Sequence, residues 1–98
     1  MNNLQLATLG LLAFQAEDYE KAVEYLGQLA QRSPELWECR LHLSHSYAKL
    51  CQYGNALQEL KAIIESCPDN AVKERAVSAL KAMKSQSLDK LYSLRGKK

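Results

Sequence analysis

Proline is scarce in this chain of 98 residues: only Pro34 and Pro68 are present. A residue that breaks helices is held back for two positions, and each is placed to end one. No apolar stretch approaches the ~20 residues that a membrane-crossing helix requires, so no membrane span is expected. The apolar opening from Met1 to Phe14 lacks a basic leading segment and is interrupted by Gln5, so it reads as a helix rather than a secretory leader. A phosphate-loop pattern is missing as well. Cysteine is limited to Cys39, Cys51 and Cys67. An odd number of thiols without a leader predicts free side chains in a reducing, cytoplasmic compartment. Cys51 and Cys67 fall at opposite ends of one expected helix and cannot pair. Cys39 and Cys67 fall at the same end of their hairpin, where pairing stays open.

The net charge is small, +2, but its two signs are separated. Residues 1–70 hold 5 Lys/Arg against 9 Asp/Glu, and residues 71–98 hold 8 against 2. The split fits either the soluble outer face of a terminal helix or a segment that steers towards an acidic partner. A content of 47% apolar and 24% charged residues is that of an ordinary globular domain, and this length allows one domain with a modest core.

Against these absences stands a repeat. Shifted by 34 residues, Leu9 falls on Leu43, Tyr19 on Tyr53, Ala22 on Ala56, Leu26 on Leu60, Leu29 on Ile63 and Pro34 on Pro68. Two apolar-periodic segments closed by a proline, written twice at a fixed period, predict stacked helical hairpins. The units are residues 3–36 and 37–70. Asp18 is placed to cap the second helix, whose inner stripe is Ala22, Val23, Leu26, Leu29 and Ala30. The next helix is expected to open near Glu35. From Ala71 the register continues through Val72, Ala76, Val77, Leu80 and Met83, and Ser87 is placed to cap a short partner helix. Lys90 stands where the earlier units have Ala22 and Ala56, so residues 71–95 read as a degenerate third unit that caps the stack. Residues 96–98 form a basic tail, residues 1–98 a single domain, and the expected total is about six helices.

These residues resemble the tetratricopeptide repeat family. Leu9-Gly10, Glu17-Asp18-Tyr19, Ala22, Leu26 and Pro34 carry the likeness in the first unit. Leu43, Tyr47, Tyr53, Ala56, Leu60 and Pro68 carry it in the second. The family's tryptophan near the start of each unit is replaced by Leu6 and Arg40, and its turn glycine by Glu17 and Cys51. The resemblance implies an all-α fold of antiparallel helical hairpins, stacked as a right-handed solenoid with a C-terminal capping helix. It also implies a non-catalytic adaptor, scaffold or small chaperone that holds a protein or peptide partner in a concave groove lined by the first helix of each unit. In this register the groove is lined by Leu4, Ala7, Thr8, Leu11, Glu38, Leu41, His42, His45, Lys49, Arg75, Ala79 and Met83. One subclass of the family clamps a C-terminal carboxylate with Lys, Asn and Arg. Ala7, Leu11, His42, Val72 and Ala76 stand at those positions, and the clamp is absent.

An apolar first-unit end and a mixed later part favour an amphipathic helix or an apolar extended segment as the occupant. A homodimer using Leu4 and Leu11 is the alternative. Cys39, His42 and His45 follow one another at three-residue spacing, but they fan over roughly 120° of a helix without a fourth ligand, so no metal site is expected. The same residues lack an orienting acid and oxyanion donors, so neither a catalytic residue nor a cofactor is expected. Tyr25, Tyr92 and the basic end would have to carry any nucleic-acid binding, and a groove that begins with leucines argues against it.

Overall fold

A computed structural model describes the backbone of residues 1–95 and the side chains of residues 1–85. Five helices follow one another: α1 (Asn3–Gln15), α2 (Tyr19–Arg32), α3 (Trp37–Lys49), α4 (Tyr53–Ser66) and α5 (Asn70–Arg95). Each packs against the next, and α3 also meets α1 and α5. Among the described residues no helix is long and apolar enough to cross a membrane.

Local chemistry sets the helix ends. At the start of α1 the Gln5 amide donates to Asn2 Oδ1 at 2.8 Å and the Asn2 amide donates to Gln5 Oε1 at 3.0 Å. This reciprocal pair satisfies two donors that the helix itself leaves open. Asp18 Oδ1 accepts from the Lys21 amide at 3.3 Å and caps α2, as its position predicts. Helix α3 opens at Trp37 rather than near Glu35, because Pro34 and Glu35 are taken up by the turn.

One turn closes both hairpins. After α1 the Asp18 amide reaches back to the Ala13 carbonyl at 2.8 Å and the Glu17 amide to Phe14 at 3.0 Å. After α3 the Gln52 amide bonds Tyr47 at 2.9 Å and the Cys51 amide bonds Ala48 at 3.0 Å. This pairing drives the residue after the helix cap into left-handed backbone, with φ of 61° at both Glu17 and Cys51. Those are the two positions where the sequence lacks the expected turn glycine, so each turn is closed against a steric preference.

Packing builds two apolar clusters. Leu6, Ala22, Leu26, Leu29 and Leu43 form the first, between α1, α2 and α3. Leu41, Ala56, Leu60, Ile63, Cys67, Val72, Ala76 and Met83 form the second, between α3, α4 and α5. Tyr47 packs on both and joins them. Burial, and secondarily the charge of Glu59, raises the Tyr47 hydroxyl above its usual pKa. Arg40 ties α3 to its surroundings: Nε donates to Glu59 Oε1 at 2.9 Å on α4, Nη1 donates to the Pro34 carbonyl at 3.2 Å, and the guanidinium lies 5.3 Å from the Trp37 ring centre. Cys39, Cys51 and Cys67 are free thiols.

The third unit departs from expectation. Helix α5 passes through Ser87 without a turn, so the described residues form five helices instead of six. Between Asn70 and Arg95 there is no glycine or proline. Ser85, Gln86 and Ser87 each cost a helix only about half a kcal/mol or less, too little to end it. Ser78, which shares its register with buried Gly10 and Ser44, is exposed.

The approach of α1 to α2 is the tightest constraint. A Cβ built on Gly10 would lie 2.5 Å from Leu26 Cδ2 and 2.7 Å from its Cγ. Leu26 is fully buried and has nowhere to yield. At Gly27 nothing lies within 4 Å of the same position. In urea denaturation Gly10→Ala is expected to lower stability by about 1 kcal/mol despite the better helix propensity of alanine. Gly27→Ala is expected to raise it by about 0.5–1 kcal/mol, and Glu17→Gly and Cys51→Gly by up to about 1 kcal/mol each. Equal responses to the two Gly→Ala changes would mean that α1 and α2 are not in close contact.

Candidate partner-binding groove

The first helix of each unit, α1, α3 and α5, contributes one wall or floor to a continuous depression. Phe14 from α1, Leu41, His42, Ser44 and His45 from α3, and Arg75 and Ala79 from α5 line a cavity of about 280 Å³. A neighbouring cavity of about 380 Å³ is lined by Ser44, His45, Ala48 and Lys49 from α3 and by Ser78, Ala79, Ala82 and Met83 from α5, with Leu60 beneath. The two share Ser44, His45 and Ala79 and form one groove.

Phe14 sets the α1 side of this groove. Ala7, Leu11 and Phe14 follow at spacings of four and three, which puts them on one face of the helix. From there the Phe14 ring meets His42 edge-on, with centroids 4.8 Å apart and planes at 86°, and His45 at 5.5 Å and 69°. It also packs edge-on against Tyr19 at 5.9 Å. Such edge contacts place a positive ring edge on a negative ring face and fix the rotamers of all partners.

The polar groups are held in part by their own helix. His42 Nδ1–H donates to the Glu38 carbonyl at 2.8 Å, which leaves the lone pair of the neutral ring on Nε2. Arg75 Nη1 lies 3.7 Å from Glu38 Oε1, joining α5 to α3 across the groove. Both side chains are more than half exposed, so this pair orients Arg75 more than it stabilises the fold. Partial burial, then the charges of Lys49 and His42, push His45 below the ordinary histidine pKa. Desolvation, then Glu38, raises the Cys39 thiol, which keeps it protonated and unreactive at neutral pH.

Of the residues expected in the groove, the structure brings Leu41, His42, His45, Arg75 and Ala79 together around one cavity, and Lys49 and Met83 around its neighbour. Leu41 and Met83 are themselves mostly buried and belong to the core as well. Glu38 sits at the rim through Arg75. Leu4, Ala7, Thr8 and Leu11 line neither cavity: Leu4 is 75% exposed, Thr8 is exposed, and Ala7 and Leu11 are half-buried. Phe14, Ser44, Ala48 and Ala82 escaped the register-based reading. Phe14 was detectable from its spacing to Ala7 and Leu11.

A fold of stacked 34-residue hairpins with such a groove can be set beside known proteins. Residues 13–84 match the family described as Tetratricopeptide repeat. The chain belongs to the tetratricopeptide repeat family. It is also similar to a protein named Intraflagellar transport protein 70A from Xenopus laevis, with 32% identity over 77 residues. That alignment covers 79% of this chain but 11% of the longer protein. No solved structure matches the chain.

Because the folded state favours neutral His45, its contribution to stability is complete above the ordinary histidine range and is lost as the pH falls through that range. Lys49→Met should raise the His45 pKa towards its ordinary value, with the midpoint read from ring-proton shifts in an NMR titration. An unchanged midpoint would show that Lys49 does not face His45.

Proposed function

We propose that this tetratricopeptide repeat chain is a non-catalytic protein-interaction module that holds a helical or extended segment of a partner protein between α1, α3 and α5. The observation that carries this reading is the groove itself. An apolar base of Phe14, Leu41 and Ala79 is rimmed by His42, His45, Lys49 and Arg75. Apolar contact with the base supplies affinity, and the polar rim, with Lys49 and Arg75 as its cations, sets orientation. The fitting ligand presents an aliphatic or aromatic anchor with an acidic neighbour, in the manner of a helix laid in a groove. The excess of Lys and Arg in residues 71–98 adds electrostatic steering towards such a ligand. Adaptor, scaffold or small dedicated chaperone are the roles that use this chemistry, in a cytoplasmic setting consistent with three free thiols.

Selection from a displayed random-peptide library against the purified chain tests the proposal. Enriched sequences should pair an apolar anchor with Asp or Glu. Arg75→Glu and His45→Ala should each weaken a selected peptide about tenfold or more while leaving the helical circular dichroism unchanged. Peptides without a shared pattern, or peptides bound equally by both variants, would contradict the assignment.

A further inference from the structure

The 34-residue register separates what the fold requires at a groove position from what this chain has placed there. His42 and His45 fall on Thr8 and Leu11 one period earlier and on Ala76 and Ala79 one period later. Both flanking units therefore build the same helix face without an ionisable side chain, and packing calls for none in the middle unit. At three-residue spacing the two imidazoles stand roughly 60° apart on α3. Both meet the Phe14 ring, with centroids 4.8 and 5.5 Å away, and both line the cavity between α1, α3 and α5.

The charges around the pair are of one sign. Among the described residues no Asp or Glu lines either groove cavity, whereas Arg75 from α5 lines the first and Lys49, on α3 itself, lines the second. Glu38, one turn before His42, has its carboxylate 3.7 Å from Arg75. Helix α1 brings the uncharged Phe14, and residues 1–16 hold no Asp, Glu, Lys, Arg or His. Helix α2 brings Tyr19 against Phe14, and α4 brings Leu60 beneath the second cavity while its Glu59 is paired with Arg40. Cys39 and Tyr47, also on α3, have their pKa values raised by burial and stay neutral.

His42 Nδ1–H is committed to the Glu38 carbonyl, so a proton taken up by this ring goes to Nε2. Histidine changes its charge between about pH 5 and 8. Two charged rings would add two cations to Lys49 and Arg75 and no counter-ion. In the empty groove that is unfavourable, and the lowered pKa of His45, caused by burial and then by Lys49 and His42, records it. An anion seated against the rings reverses the sign. We propose, resting on the groove function stated above, that His42 and His45 are the specificity-determining residues of the groove, taking up protons together with a ligand that carries an apolar anchor beside a strong anion. Protonated, the groove selects for that anion; neutral, it holds it with Lys49 and Arg75 alone. The coupling is mutual, so the ligand favours the charged rings by the same factor with which acid tightens the ligand.

Two probes that share one anchor separate charge from fit: 3-phenylpropanesulfonate, which is ionised throughout the range, and the uncharged 3-phenylpropanol. Each is titrated into the full chain at about pH 7.5 and about pH 5.5, and binding is read from the NMR signals of Phe14, His42, His45 and Ala79. The sulfonate should bind at least about fivefold tighter at the lower pH, and the alcohol should bind within about twofold at both. Saturating sulfonate should also raise the His45 ring-proton midpoint by at least about half a pH unit. His42→Gln together with His45→Gln should remove the pH dependence and leave the sulfonate at its weaker, neutral-pH affinity. Four results overturn the proposal while the groove function stands: sulfonate binding that ignores pH, acid strengthening that survives the glutamines, acid strengthening shared by the alcohol, or loss of the helical circular dichroism at the lower pH. If neither probe moves these signals at either pH, both fall.

Discussion

The contact of Gly10 with Leu26 is the constraint on which the remaining geometry depends. With no side chain at Gly10, α1 lies close enough to α2 for the Leu26 side chain to fill the space that a Cβ would take. That distance sets the tilt of α1, and the tilt decides where Phe14, one turn further on, arrives. Its ring reaches α3 and stands edge-on to His42 and His45. A packing event within the first hairpin is in this way converted into one wall of the groove. Full burial of a leucine stabilises by about 1.5–3 kcal/mol, so Leu26 is a major contributor in a core this small.

The second hairpin repeats the plan with different parts. Ser44 stands in the Gly10 register, buried, with its hydroxyl donating to the Leu41 carbonyl at 2.7 Å. A buried hydroxyl that returns its proton to its own helix costs little and keeps the contact close. Arg40 adds a partly buried ion pair with Glu59. The two turns, by contrast, are the same object twice, each with a non-glycine residue at φ 61°. The backbone pairing of the motif outweighs the steric cost because four helix-end groups would otherwise lack partners.

Much of the fold was legible in the sequence because a repeat states its packing twice. Ala22, Leu26, Leu29 and Pro34 could be checked against Ala56, Leu60, Ile63 and Pro68, and the three aliphatic positions of each set are buried while the prolines stand exposed in the turns. The end of the stack was not legible in the same way. The register suggested a turn before Ser87, but a register says only where a helix would end if a breaker were present, and none is. The groove was legible where α3 and α5 face each other. At the α1 end it was not, since the angle between α1 and α3 is set by contacts distant in sequence, and that angle brings Phe14 to the cavity and leaves Leu4 outside it.

The central claim is that the groove is preformed by packing within the chain rather than assembled by its ligand. It is tested most directly by nuclear Overhauser effects between the Phe14 ring and the rings of His42 and His45 in the isolated protein at neutral pH. The account predicts cross-peaks from Phe14 to both histidines, the stronger to His42, in the absence of any partner. Their absence, in a chain whose α1 and α2 still show contacts between Gly10 and Leu26, would show that the first hairpin folds as described but does not build the groove.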